Sequence, residues 1–258
     1  MLTPAPSRKI LRRMDYISDQ KGILRRFLRE REEWNSHLTN AGEFILEVLD
    51  KHSFNQIVLL GSGWLLDFPI EKVSKLVKKI TLVDVYFPSQ IQRKVRNFEN
   101  VECLALDVTG GYIEAVYDAL RNSKTDFKTP KLTSPSINLE DGNMIISLNI
   151  LNQLDILLVD YIKSKTNLSD AETLALRKHL QEDHLNLLRP HPFILISDCE
   201  ELLINTQGKI IESRDLIFTE LPKTSVSKEW EWKFDSHGLY NPDSDTRMKV
   251  KAFFSTKA

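Results

Sequence analysis

From Asp15 to about Lys51, apolar residues recur every three or four positions (Ile23, Leu24, Phe27, Leu28, Trp34, Leu38, Ala41, Ile45, Leu49), which is the spacing of one helix face. Beyond residue 52 the pattern changes to short β-rich runs alternating with helical ones: QIVLLG before EKVSKLVKK, ITLVDVY before PSQIQRKVRNF, and VECLALDV before GYIEAVYDALRN. That rhythm predicts right-handed βαβ units and a parallel sheet. The segment Lys124 to Gly142 has no period and is rich in Pro, Ser and Thr, so it reads as a loop. Because it leads into a strand, it is expected at the amino end of the sheet, as a tether and not a lid. A strand, NMIISLNIL, follows, then a helical stretch from about Asn152 to Arg189 broken near Asn167-Leu168-Ser169, and the strand PFILISDCEELL. The tail differs: EWEWKF and RMKVKAFF are alternating strands joined by DSHGLYNPDSDT, an antiparallel hairpin and not a further βαβ unit.

With 258 residues, 41% of them hydrophobic, the chain can bury one sizeable core. We divide it into an N-terminal helical extension, 1–51, and an α/β domain, 52–258. Charge is nearly balanced, 35 Lys+Arg against 36 Asp+Glu, so there is no overall electrostatic footprint for nucleic acid. The local exception is the stretch through Arg31, with nine basic residues against three acidic ones. It reads as the solvated face of a packed helix, and nucleic acid is expected nowhere else. Cys103 and Cys199 sit in apolar runs, which supports neither a disulfide framework nor a zinc site, and His179 and His184 fall five apart, on different sides of a helix. The basic N-terminus is followed by no apolar segment, and no run approaches the roughly 18 apolar residues of a membrane span. A cytoplasmic protein without membrane association is the expectation; the sequence is silent on oligomeric state.

In a doubly wound sheet a ligand lies beyond the carboxyl ends of the strands, so the residues that end each strand are the informative ones. The first strand ends at Gly61-Ser62-Gly63, where small residues permit a tight turn and close backbone approach. The second ends at Asp84, followed by Val85, 23 residues beyond Gly61, a spacing that suits an acid accepting ribose hydroxyls. The third ends at Asp107, whose carboxylate and the following Val108 amide suit an adenine edge. After the fourth comes an amide-rich set, Ser147, Asn149, Asn152 and Gln153; Asn149 is assigned to the site and Asn152 to a helix N-cap. Asp198 ends the fifth.

Five parallel-type strands closed by a hairpin, with GSG, Asp84 and Asp107 at strand ends, resemble the class I S-adenosylmethionine-dependent methyltransferases over roughly residues 52 to 258. The resemblance implies a doubly wound, seven-stranded mixed sheet of Rossmann-like type with its last strand reversed. It also implies S-adenosylmethionine as cofactor, S-adenosylhomocysteine as product and a small-molecule acceptor. The cofactor residues would be Gly61, Ser62, Gly63, Trp64, Asp84, Val85, Asp107, Val108 and Asn149. Where the family has acid-x-Gly-x-Gly-x-Gly, this chain has Leu59 for the acid, Gly61, Gly63, and Leu65 for the third glycine. The loop is thus rebuilt, with Trp64 expected to pack over the cofactor and Asp67 to replace the missing carboxylate. Family order brings the loop Asp235 to Thr246 to the ligand rim, making His237 the leading candidate base, with Asp198 and Tyr240 as further catalytic candidates. Trp34 and His37, one turn apart, are expected to pack on the sheet. The altered loop also motivates an alternative, a non-catalytic methyltransferase-like scaffold that binds a ligand or partner. NAD(P)-dependent oxidoreduction is disfavoured by the terminal hairpin and by Leu66 at the third glycine place of Gly-x-Gly-x-x-Gly.

Overall fold

A computed structural model describes residues 1–122, 128–224 and 226–256. A two-residue strand, β1 (Thr3–Pro4), precedes three helices, α1 (Arg8–Arg13), α2 (Tyr16–Arg29) and α3 (Arg31–Lys51). The alternating part follows: β2 (Gln56–Leu60), α4 (Ile70–Val73), β3 (Lys79–Asp84), α5 (Ser89–Val95), β4 (Val101–Asp107), α6 (Tyr112–Asn122) and β5 (Asn143–Leu148). Then come α7 (Ile156–Lys163), α8 (Asp170–Leu188), β6 (Phe193–Ile204), β7 (Ile210–Asp215), β8 (Val226–Asp235) and β9 (Asp245–Ser255).

The strands lie in the order β1-β4-β3-β2-β5-β6-β9-β8, with β7 also paired to β6. Strands β4, β3, β2, β5 and β6 are parallel, while β9 runs against both β6 and β8. The doubly wound mixed sheet and terminal hairpin are therefore present, but the sheet has nine strands among the described residues, not seven. The two additions had weak local signatures. Thr3–Pro4 is too short for any period, and its proline sits on an edge strand, where no ladder hydrogen bond is needed from it. Strand β7 has all six residues exposed, so no alternation marks it; its turn is nevertheless made by Asn205 accepting from the backbone of Gln207 and Lys209, with Gly208 at φ +77°.

Apolar side chains alternate across the sheet as the pleat requires. In β2, Ile57 and Leu59 face the layer of α3, α4 and α5, whereas Val58 and Leu60 face the layer of α1, α6, α7 and α8. The long helix α8 starts with a capping box, Ser169 and Glu172 each bonding the other's backbone N–H, which accounts for the break read at Asn167-Leu168-Ser169. The helix expected over EKVSKLVKK is only the single turn of α4, because the Asn100 amide reaches the carbonyls of Ser74 and Val77 and holds the following residues in turns. Asn152 is not an N-cap; α7 begins at Ile156 with Asp155 at that position. The polar loop also departs from expectation: Thr133 and Pro135 pack against Gly110, just past the carboxyl end of β4, before Gly142 returns to accept a backbone bond from Asn55. The expectation for Lys124 to Phe127 lies outside the described residues. No helix among the described residues is long and apolar enough to cross a membrane.

A buried charge cluster fastens the N-terminal helices to the loop after β8. Glu30, between α2 and α3, accepts from Ser236 N and Oγ (3.2 and 2.6 Å), contacts His237 Nδ1 (2.6 Å) and pairs with Arg29, which also pairs with Asp235. Burial alone would raise its pKa, but these bonds win and hold the carboxylate at about 2. Truncating it strips partners from Arg29 and Ser236 at once. Glu30→Ala is expected to lower stability by about 3 kcal/mol, the scale for removing one member of a buried ionic cluster, measured by urea unfolding near neutral pH.

Candidate active site

A cavity of about 320 Å³ opens at the carboxyl ends of the parallel strands. It straddles β2 and β5, where the strand order reverses, the topological switch point of a doubly wound sheet. The residues named for a cofactor all line it: Gly61, Ser62, Gly63 and Trp64 after β2, Asp84 and Val85 after β3, Asp107 and Val108 after β4, and Asn149 after β5. Asp198 and Tyr240 line it too. His237 does not; it stands outside, half-exposed, with its Nδ1 held by Glu30.

The loop after β2 is shaped by backbone constraints. Gly61 has φ +77°, and a β-carbon there would lie 2.8 Å from Leu148 O and from Ile150 Cβ, so only glycine fits. Gly63, at φ +43°, donates its N–H to Asp84 Oδ2 at 2.8 Å. Leu65, in the third glycine place, adopts the same left-handed region (φ +54°) with its side chain buried. That conformation costs about 1–2 kcal/mol, and burying a leucine contributes about 1.5–3 kcal/mol, so burial offsets the strain. The indole of Trp64 donates to Gln20 O at 2.7 Å, tying the loop to α2.

Asp84 is braced from both sides, accepting on Oδ1 from Gln20 Nε2 (2.9 Å) and Tyr86 N (3.2 Å); burial nonetheless pushes its pKa up to about 6. Asp107 is fully buried, its Oδ1 bonded to Thr109 N and Oγ1, while its Oδ2 has no partner among the described residues. Gln20 was not foreseen, because α2 is remote in sequence and only packing brings it to Asp84.

The other end of the cavity is a polar group beneath α3. Trp230 Nε1 donates to His37 Nδ1 at 3.1 Å, so the ring proton sits on Nε2, and burial pulls the pKa down to about 3. His37 stacks on Trp232 at 3.9 Å between ring centroids, and Trp34 Nε1 donates to Phe234 O, which packs both residues on the sheet while they line the cavity. The Asn149 carboxamide lies 3.2 Å from His37 Nε2 and 2.5 Å from Asp67 Oδ2. Asp67 is pushed up to about 6 by burial, and Asp198 to about 7 by burial and then by the charge of Asp67.

Asp198 does not end its strand. β6 continues to Ile204, and a bulge between Asp198 and Glu200 shifts the register, so that Asp198 pairs with Val250 and Glu201 with Met248 on the same sheet face. Without the extra residue Glu200 would point there; with it, Glu201 does. Neither the bulge nor Glu201 has a signal in the local pattern. The basic run is likewise partly internal: the Arg26 guanidinium lies 4.3 Å over the Phe234 ring and 4.7 Å over Tyr240, and Arg13 donates to Tyr117.

The chain has a doubly wound mixed sheet closed by an antiparallel hairpin. No protein-family model and no curated protein matches it. Among solved structures it is similar to the N-methyltransferase NodS from Bradyrhizobium japonicum, at 13% identity over 90% of this chain and 97% of that one, with a TM-score of 0.37. It is also similar to DhpI in a SAM–HEP complex, at 10% identity over 96% and 99% of the two chains, with a TM-score of 0.39. At TM-scores below 0.5 neither likeness bears on the fold, which rests on the strand order and direction.

The acids of this cavity make stability fall as pH rises. Asp198, ordinarily near 3.8, is raised to about 7 in the folded state, so the folded chain binds its proton more tightly and stability is lost as pH rises from about 4 to 7. Asp67, Glu201 and Asn152 share its surroundings. Asp198→Asn is expected to stabilise the ligand-free protein by on the order of 2–4 kcal/mol near pH 8, and by nothing measurable near pH 4, checked by guanidinium unfolding at both.

Proposed function

We propose that the protein transfers a methyl group from S-adenosylmethionine to a small-molecule acceptor. The observation that supports this best is the convergence of four neighbouring strand ends, bearing Asp107, Asp84, Gly61 with Gly63, and Asn149, on one cavity at the switch point. The residues fit an adenosyl group chemically: Asp107 Oδ2 is a buried acceptor lacking a donor, which an adenine amino group supplies, and Gly61 and Gly63 leave backbone where a β-carbon would project. The Gln20 amide gives Asp84 the hydrogen bond that a ribose hydroxyl takes in its place.

The cofactor brings a methyl group already activated on a sulfonium, so this chain's work is alignment and removal of a proton from the acceptor. Asn149, bonded to Asp67, and the His37 stack hold the middle of the cavity rigid; His37, neutral and with its Nδ1 taken by Trp230, positions and does not act as a base. Asp198 is the acid placed to take a proton, and Tyr240 closes the mouth beside Arg26.

Calorimetric titration is expected to give about micromolar affinity for S-adenosylhomocysteine, a free energy of about −8 kcal/mol, with no binding of NADH. Asp107→Asn, which turns an acceptor edge into a donor, is expected to weaken it about tenfold or more. A folded sample that binds neither S-adenosylmethionine nor S-adenosylhomocysteine would sink this reading.

A further inference from the structure

We propose that the end of the cavity bounded by Asp67, Asp198 and Trp232 binds a cationic amine, and that this amine is the methyl acceptor, an assignment that rests on the cofactor reading above. Two acceptors there, Asp198 Oδ1 and Asn152 Oδ1, belong to side chains only 3% and 7% exposed and have no hydrogen-bond partner among the described residues. Buried acceptors are costly to leave unpaired, and two acceptors on one wall call for a group with several N–H bonds. Among the described residues no Lys or Arg acts on either acid: Asp67 is subject to burial, a backbone bond and the Asn149 amide, and Asp198 to burial, the charge of Asp67 and the Asn152 amide, while Arg26 in the cavity is stacked over Phe234 and Tyr240 and Arg214 pairs with Glu201. His37, 3.9 Å from Asp67, is held neutral by burial.

Position separates this end from the adenosyl end. Asp107 ends β4 and Asp198 lies on β6, four strand steps away in the order β4-β3-β2-β5-β6, roughly 19 Å at about 4.8 Å per step. The bulge in β6 adds Glu201 to the same face, where it is paired with Arg214 and accepts from Asn241, and Trp232 and Phe234 also line the cavity, so Asp67 and Asp198 are the acids left beside ring faces. Arg26, stacked over Phe234 and Tyr240, already uses Phe234 as a cation platform, and Trp232 carries no such cation among the described residues.

The chemistry balances. A bound ammonium gives one proton to a carboxylate oxygen of Asp198; the lone pair so freed forms the N–C bond as the C–S bond breaks, its electron pair staying on sulfur. The positive charge passes from sulfonium to methylated ammonium, beside Asp67, and the thioether product is S-adenosylhomocysteine. Burial places Asp198 where it exchanges a proton near neutrality.

The test is calorimetry on protein loaded with S-adenosylhomocysteine, near pH 8, using benzylamine and spermidine as cationic probes and benzyl alcohol and phenylacetate as neutral and anionic counterparts. At least one amine is expected to bind about tenfold tighter than benzyl alcohol, phenylacetate not at all, and Asp198→Asn is expected to abolish the preference while leaving S-adenosylhomocysteine affinity unchanged. Binding of neither amine, or no preference over the alcohol in the wild-type protein, overturns the proposal without recourse to any variant. Loss of S-adenosylhomocysteine affinity in Asp198→Asn also overturns it, by assigning the acid to the cofactor's own ammonium. Should S-adenosylhomocysteine fail to bind the wild-type chain, the cofactor reading falls instead, and the same amine titration of the free protein still decides whether the acids hold a cation.

Discussion

The carboxyl rim of the sheet depends on the close approach of two backbones, at Gly61 and Leu148. Any side chain at position 61 would collide with the Leu148 carbonyl, so β2 and β5 stay in register to their last residues only because glycine stands there. From that contact the two chains leave in different directions. Gly61 and Gly63 turn the first toward β3, where an amide reaches Asp84, and Asn149, itself at φ +48°, turns the second toward Asp67 and His37. The crevice between them is the cavity.

The cavity gathers several acids whose burial is poorly offset. Outside it, Glu30 takes bonds from Ser236, His237 and Arg29 and stays ionised, and Asp235 accepts from Arg29 and from the backbone of Leu239 and Tyr240, whereas Asp155, beside Arg177, is raised to about 6 by burial. Inside the cavity Asp67, Asp84 and Asp198 are pushed up to about 6 or 7 by burial that their bonds do not offset. Leaving these acids under-satisfied costs the fold stability at the cavity near neutral pH. The rebuilt loop belongs to the same economy of packing: Leu65 accepts left-handed strain because its side chain anchors the turn in the core.

The parallel strands were legible because each is an uninterrupted apolar run, as burial on both faces requires, and Gly61, Asp84 and Asp107 were legible because each interrupts such a run at its end. Asp67 was read as part of the rebuilt loop and does line the cavity, whereas Gln20, His37 and Glu201 were harder. Gln20 and His37 lie on helices whose periodicity shows which face is buried but not what it is buried against. Glu201 depends on a one-residue bulge that no hydrophobic pattern announces, and His237, in a loop rich in turn residues, was drawn out of the site by a Glu30 more than 200 positions away.

By itself the sequence determined the alternation of strands and helices, the closing hairpin and the polar residues at three strand ends, because these follow from local periodicity and from what a buried strand can carry. Tertiary structure decided which acids share a cavity and which are neutralised. That choice depends on burial and on partners distant along the chain, and the pairing of Arg29 with Asp235, the bonds of Glu30 to Ser236 and the burial of Asp198 without a cationic partner among the described residues exist only once the helices have packed on the sheet.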